Sequence, residues 1–435
     1  MRINSKLTME KYKEYKDSGV QWLGEIPSHW KCIPIRRIAQ VNPLKNKQLN
    51  EDDIVGYAPM DRIRCDKMNP TIITVSKLTS GLTYCETGDI VLAKVTPCFE
   101  NGNVAIVPTV QNGCCFGSSE LFVFRAKSIV NVRFLFYTFL NKGFVDAGAS
   151  TMRGTGGLKR VTTEFANNAP IPLPFKAEQH SIVSYLDTKC SLLDTLLSNK
   201  EKQISLLQEM KQRVIADAVT RGINPSVKFK TTNIPWLQEI PEHWGIKRAK
   251  NLFKKELRPV QEGDEIVTCF RDGEVTLRKN RRISGFTEAT DYRHYQHICK
   301  GDLVIHQMDA FAGSSGVSDS DGMGTPVLSV CTPKLDSIDN YYYAYILRLM
   351  GKNGFILSLY RGIRERSSDF RFETFVKQWL PVPPLSEQRS IVSYITERAS
   401  KIDLLIEKLN KEIESIKGYK QRLISDVVTG QVKVC

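Results

Sequence analysis

The chain has 435 residues, 41% of them apolar and 25% charged. That excludes a small stapled scaffold, a collagen-like repeat and wholesale disorder, and at about 150 residues per domain it predicts two or three domains. Lys and Arg number 61 against 47 Asp and Glu, a formal +14, so a polyanionic partner is compatible with the surface.

The N-terminus carries Lys6, Lys11, Lys13 and Lys16 with no apolar stretch behind them, and nowhere do about eighteen uncharged apolar residues run together. A cytoplasmic protein without signal peptide or membrane span is expected. Eleven cysteines include no Cys-x-x-Cys pair, and Cys114 and Cys115 are adjacent. Reduced, buried thiols are expected rather than paired-cysteine zinc ligation or a disulfide framework, and no metal site is expected.

In chain order, the first landmark is Trp22-Leu23-Gly24-Glu25-Ile26-Pro27-Ser28-His29-Trp30, which returns as Trp236-Leu237-Gln238-Glu239-Ile240-Pro241-Glu242-His243-Trp244. Packing or capping is the expected role of His29 and His243. From about 20 to 174, runs such as Asp89-Ile90-Val91-Leu92-Ala93 and Leu121-Phe122-Val123-Phe124 lie between Gly and Pro punctuation and predict strands. Pro170 to Pro174 then predicts a break, and 178 to about 220, free of Gly and Pro, predicts a helix. The pattern recurs: strands from 234 to 384, Pro381-Val382-Pro383-Pro384 as a break, and a helix from 387 to about 429. Gly88-Asp89 matches Gly301-Asp302, and Phe134 to Leu140 matches Tyr341 to Leu347. Glu178-Gln179 with Ser181-Ile182-Val183-Ser184-Tyr185 matches Glu387-Gln388 with Ser390-Ile391-Val392-Ser393-Tyr394 at an offset of 209. The chain is a duplicated unit.

In the helical segments Leu193, Leu196, Ile204, Leu207, Met210 and Val214 recur as Ile402, Leu405, Ile413, Ile416, Tyr419 and Leu423, one narrow stripe kept twice. A helix of about 41 residues rises about 60 Å, and so narrow a stripe wants a partner. The expected fold class is α/β. Two globular mixed α/β domains (1–175 and 223–384) are separated by a long antiparallel two-helix coiled coil (176–222 and 385–435), a pseudo-twofold dumbbell. The competing arrangement lays each helix on its own domain. Lys200, opposite Leu409 in the repeat, is a flaw that an exposed or offset position would tolerate.

Catalytic motifs are missing. The Pro-Pro at 383 to 384 lacks the preceding amide and following aromatic of an adenine methylase, and Gly154 to Arg160 lacks the ending of a phosphate-binding loop. Asp187-Thr188-Lys189 is expected on a solvated helix face. Asp319-Ser320-Asp321-Gly322 lacks calcium ligands at its first and twelfth positions and is read as a turn. Basic segments are more telling. Arg271, Arg278, Lys279, Arg281 and Arg282, then Arg361, Arg364 and Arg366, form two clusters; Arg153, Lys159 and Arg160 occupy the place of the latter in the first domain. Guanidinium forks match the guanine edge, amides match adenine, and Lys or Arg also neutralise phosphates. Lys94, Asn101 and Asn103, with His306 and Gln307, complete the candidate DNA-binding set.

On the Trp-to-Trp motif at 22–30 and 236–244, Pro172-Leu173-Pro174 leading to Glu178-Gln179, and Pro383 to Gln388, the sequence resembles the specificity subunit of type I restriction-modification systems. The resemblance covers nearly the whole chain. It implies two target-recognition domains, each reading one part of a split asymmetric DNA site, and two conserved helices that fix the spacing. It also implies double-stranded DNA, two methyltransferase subunits and restriction/translocase subunits as partners, with S-adenosylmethionine, ATP and magnesium on those partners and no cofactor or catalysis in this chain. The alternatives are a stand-alone DNA-binding nuclease and a purely protein-binding helical scaffold.

Overall fold

The computed structural model describes residues 10–64, 66–155, 157–281, 284, 292–359 and 369–434. The chain forms two compact units, Met1–Lys200 with Asn410–Cys435, and Glu201–Leu409. Each unit therefore holds one mixed α/β domain together with part of each long helix.

In unit 1 an antiparallel sheet runs in the order Val104–Ile106, Ile90–Ala93, Leu121–Ala126, Ala39–Val41. A second sheet runs Thr71–Thr74, Ile54–Ala58, Cys114–Gly117, Thr83–Glu86. Side chains alternate across a strand, and here both faces are covered. Ile90, Leu92, Phe122 and Phe124 enter the core that faces the helices, while Val91, Ala93 and Val123 enter another. Such two-faced burial explains why these runs are continuously apolar. In unit 2 the corresponding sheet is Phe253–Lys255, Leu328–Pro333, Leu303–His306, Ser315–Val317. Leu303 and Ile305 face one core, Val304 the other.

The repeated Gly-Asp is a turn ahead of the central strand. Gly88 (φ 88°) and Gly301 (φ 93°) take the left-handed backbone that favours glycine. Asp89 then accepts the Glu86 N–H and pairs with Arg125; Asp302 accepts the Cys299 N–H and pairs with Arg258.

The proline segments differ from expectation. Pro170–Leu173 is a strand paired with Lys31–Pro34, and Trp379–Val382 is one paired with Gly245–Arg248. Two-stranded ribbons have free edges, so a proline lacking its N–H forfeits nothing there, and Ile171, Leu173 and Leu380 are buried.

The long helices are Lys176–Arg221 and Leu385–Val428. They pair within each unit. In unit 1 Lys420 reaches Asp194 at 2.6 Å and Lys200 reaches Glu412; in unit 2 Lys211 reaches Asp403 at 2.7 Å. Partner numbers fall as the first helix advances, so the pairing is antiparallel. Between 193 and 214 the residues withdrawn from solvent are Leu193, Leu197, Lys200, Ile204, Leu207, Lys211 and Val214; in the other helix the same offsets give Ile402, Ile406, Leu409, Ile413, Ile416, Lys420 and Leu423, with Glu412 the one addition. This alternating four-three spacing is the seam of a coiled coil. It corrects the expected stripe at four places: Leu196, Met210, Leu405 and Tyr419 are exposed, flanking the seam. Lys200 is no exposed flaw, because its side chain is only 17% exposed and pairs with Glu412. Desolvating this pair offsets much of its attraction, so Lys200→Leu, copying Leu409, should stabilise the fold by about 0.5–1 kcal/mol. A raised urea midpoint is the check; a lowered one would show that the pair is net stabilising.

Among the described residues all nine cysteines are free, six of them buried. Burial pushes the Cys190 thiol up to about 11 and Cys269 up to about 12, keeping both protonated. No helix among the described residues is long and apolar enough to cross a membrane.

Candidate nucleic-acid interface and its mounting

Each domain is fastened to a helix by the same residues. Trp30 is fully buried, its Nε1 donates to Glu178 at 3.0 Å, and His29 Nε2 lies 3.0 Å from the same carboxylate. Trp244 and His243 likewise share the Glu387 carboxylate, both through Oε2, at 3.0 and 2.9 Å. One residue on, buried Gln179 accepts the Asn131 N–H and donates to the carbonyls of Pro174 and Ile129. Gln388 accepts from Asp339 and donates to Pro383 and Ser337. The tryptophans, histidines and Glu-Gln pair that reveal the repeat are thus two halves of one joint. In unit 1 Asp187 strengthens it: the carboxylate takes Arg133 and the Tyr137 hydroxyl (2.6 Å), so it is a domain-to-helix contact rather than a solvated face.

The far end of the other helix closes each unit. Asn141 donates to Ser425 and Gln421 to the Leu140 carbonyl in unit 1; Tyr342 donates to the Val219 carbonyl in unit 2.

On this mounting unit 1 gathers basic residues that are distant in sequence. The Thr96 N–H donates to the Lys159 carbonyl and the Val161 N–H to that of Lys94, while Arg153 and Arg160 exchange backbone bonds. Arg153, Lys159 and Arg160 are exposed, Lys94 is half-buried with its ammonium 5.8 Å over Phe122, and Asn101 is exposed. Arg160 grips Glu120 with both prongs at 2.8 and 2.9 Å and holds that carboxyl below its usual range. Asn103 is corrected: at 6% exposure it lies inside and offers no groove contact.

In unit 2 Arg271 pairs with Asp309 at 3.0 Å, and Lys279 with Glu265. Arg281 lies 4.3 Å over Phe270 and bridges Asp272 and Glu274 at 2.7 and 2.8 Å. Arg278 is half-buried at the start of the same short turn. Exposed pairs of this kind contribute about 0–1 kcal/mol each, so a phosphate or base edge can displace the carboxylates at small cost. His306 and Gln307 are corrected. His306 Nδ1 accepts the Asp309 N–H, with its pKa lowered by burial, and the Gln307 amide donates to Ser329 and Pro326. Both are engaged within the fold. Arg282, Arg361, Arg364 and Arg366 lie outside the described residues.

Sequence reasoning missed Arg348. It stacks 4.4 Å over Tyr345 and donates to the Asp272 carbonyl at 3.1 Å, shaping the turn that carries Arg271. No sequence signal links positions 76 residues apart.

A family model for the type I restriction modification DNA specificity domain matches residues 27–206. The EcoAI specificity subunit of Escherichia coli is 33% identical over 195 residues, 44% of this chain. The chain spans about a third of that relative's own length, 33%. The MjaVIII specificity subunit of Methanocaldococcus jannaschii is 23% identical over 98% of each chain. A solved chain from work on the assembly and conformational transition of the type I R-M system shares the fold, with a TM-score of 0.68 and 19% identity over 93% of this chain and 98% of that one. Residues 27–206 thus carry a type I restriction modification DNA specificity domain, and over nearly its whole length the chain is similar to type I specificity subunits and shares their fold.

Proposed function

We propose that the chain directs a type I restriction-modification assembly to a bipartite, asymmetric double-stranded DNA site, each domain reading one part. The observation that carries this is one frame bearing two different basic surfaces. The Trp-His and Glu-Gln joint is the same in both units. The exposed cations are not: Arg153, Lys159 and Arg160 in one, Arg271, Lys279 and Arg281 in the other. Equal mounting with unequal loops suits unequal half-sites.

The helices dock the catalytic partners. Leu196 with its copy Leu405, and Met210 with its copy Tyr419, are 42–50% exposed beside the seam. Exposed large apolar side chains favour protein partners, and their duplication, Leu196 and Tyr419 in unit 1 and Met210 and Leu405 in unit 2, suits two like methyltransferase subunits. Restriction/translocase subunits join through these. S-adenosylmethionine, ATP and magnesium belong to the partners, and this chain neither methylates nor cleaves.

The test uses the full chain with its methyltransferase and duplex containing the methylated site. Binding should weaken with salt in proportion to the phosphates neutralised. Arg281→Ala should lower the log-log slope by about 1 and the affinity about tenfold at low salt. Salt-independent binding, or cleavage of DNA by the chain alone with magnesium, would contradict the reading.

A further inference from the structure

The strand Gln296–Ile298 pairs antiparallel with Gly322–Gly324, with Ile298 opposite Gly322. Continuing the register by one residue sets Cys299 opposite Asp321. Side chains two apart on a strand share a face, so His297 and Cys299 project to the same side. The ligand atoms of His297, Cys299 and Asp321 lie within 4.8 Å of one another, the one such group of three among the described residues. We propose that these three side chains form a zinc-class divalent metal site in unit 2, with water as the fourth ligand.

The surroundings are those of a built site. The His297 side chain is 6% exposed, and its Nδ1 lies 2.9 Å from Asp264, itself 8% exposed. A carboxylate behind a histidine fixes the ring and raises the basicity of the other nitrogen, so Nε2 is the nitrogen that ligates. Asp264 is held in turn by the Gln261 N–H at 2.8 Å. The Lys300 N–H donates to Asp321 Oδ1 at 2.8 Å, which leaves Oδ2 for the metal. Asp302 takes the Cys299 N–H and neutralises the neighbouring Arg258. Tetrahedral zinc, with bonds of about 2.0–2.3 Å, wants donors about 3.3–3.8 Å apart, a closure that small side-chain rotations supply. Imidazole, thiolate and carboxylate together favour zinc over calcium or magnesium. A sequence search for paired cysteines misses the site, because the third ligand arrives across the ladder.

The metal would brace the frame of the basic turn. The Met323 N–H donates to the Glu265 carbonyl and the Arg278 N–H to that of Ile266, which links these strands to Arg278–Asn280.

The full chain, stripped with chelator, is titrated with zinc by calorimetry and with cobalt by absorbance. One equivalent should bind, with a thiolate-to-cobalt charge-transfer band. Cys299→Ser should abolish the band, and Asp321→Asn, on an exposed turn where folding is undisturbed, should weaken zinc at least tenfold; Cys98→Ser should change neither. No zinc binding by the folded wild-type chain, unchanged binding in Asp321→Asn, or loss of the band in Cys98→Ser would overturn the site. Because the readout is metal binding, its failure leaves the DNA-specificity reading untouched.

Discussion

Replacing Gln388 by leucine should lower the unfolding free energy by about 3 to 5 kcal/mol, and Gln179→Leu should do the same. Each glutamine is at most 1% exposed and satisfies one backbone N–H and two backbone carbonyls. Leucine fills the volume but strands all three groups away from water, at about 1–3 kcal/mol apiece. The loss is a large fraction of a typical domain's stability. Urea denaturation with an unchanged slope and a strongly reduced midpoint is the expected observation. A cost below about 1 kcal/mol would mean that the joint is not what holds domain to helix.

The second large effect belongs to the seam. Ile413, 5% exposed, should tolerate aspartate at a cost of at least about 3 kcal/mol, because the change removes apolar burial and installs a charge with no partner. Leu405→Ala, at a position 50% exposed, should change stability by less than about 0.5 kcal/mol. Instead it should weaken capture of the methyltransferase, together with Leu196→Ala at the equivalent position. Thermal and urea unfolding separate the two variants; equal destabilisation by both would restore Leu405 to the seam.

That contrast shows where sequence pattern gives out. Leu405 and Ile406 are adjacent and both apolar, so periodicity alone cannot say which faces the partner helix. The answer depends on a seam that also takes in Lys200, Lys211 and Lys420, whose charges a hydrophobic search passes over. The long helices and the duplication were legible because proline, glycine and tryptophan punctuate the chain at fixed offsets. What the repeated residues do was not legible: Trp30 and Glu178 are 148 positions apart, and only the fold brings indole to carboxylate. For the candidate interface, composition found Arg271 and Arg281 but could not see their acidic partners Asp309, Asp272 and Glu274. Nor could it distinguish them from His306, Gln307 and Asn103, polar groups that the fold turns inward or spends on its own backbone. Proline was read as a break where an unpaired strand edge accepts it.

The most direct test of two like-mounted, independent readers is an exchange. Residues 20–174 are replaced by the corresponding domain of another family member, leaving the Glu178-Gln179 joint in place, and the methylated sites of a host expressing the chimera with its methyltransferase are sequenced. One part of the split site should change while the other part and the spacing between them stay as they were. Altered bases in both parts, or a new spacing, would contradict the account.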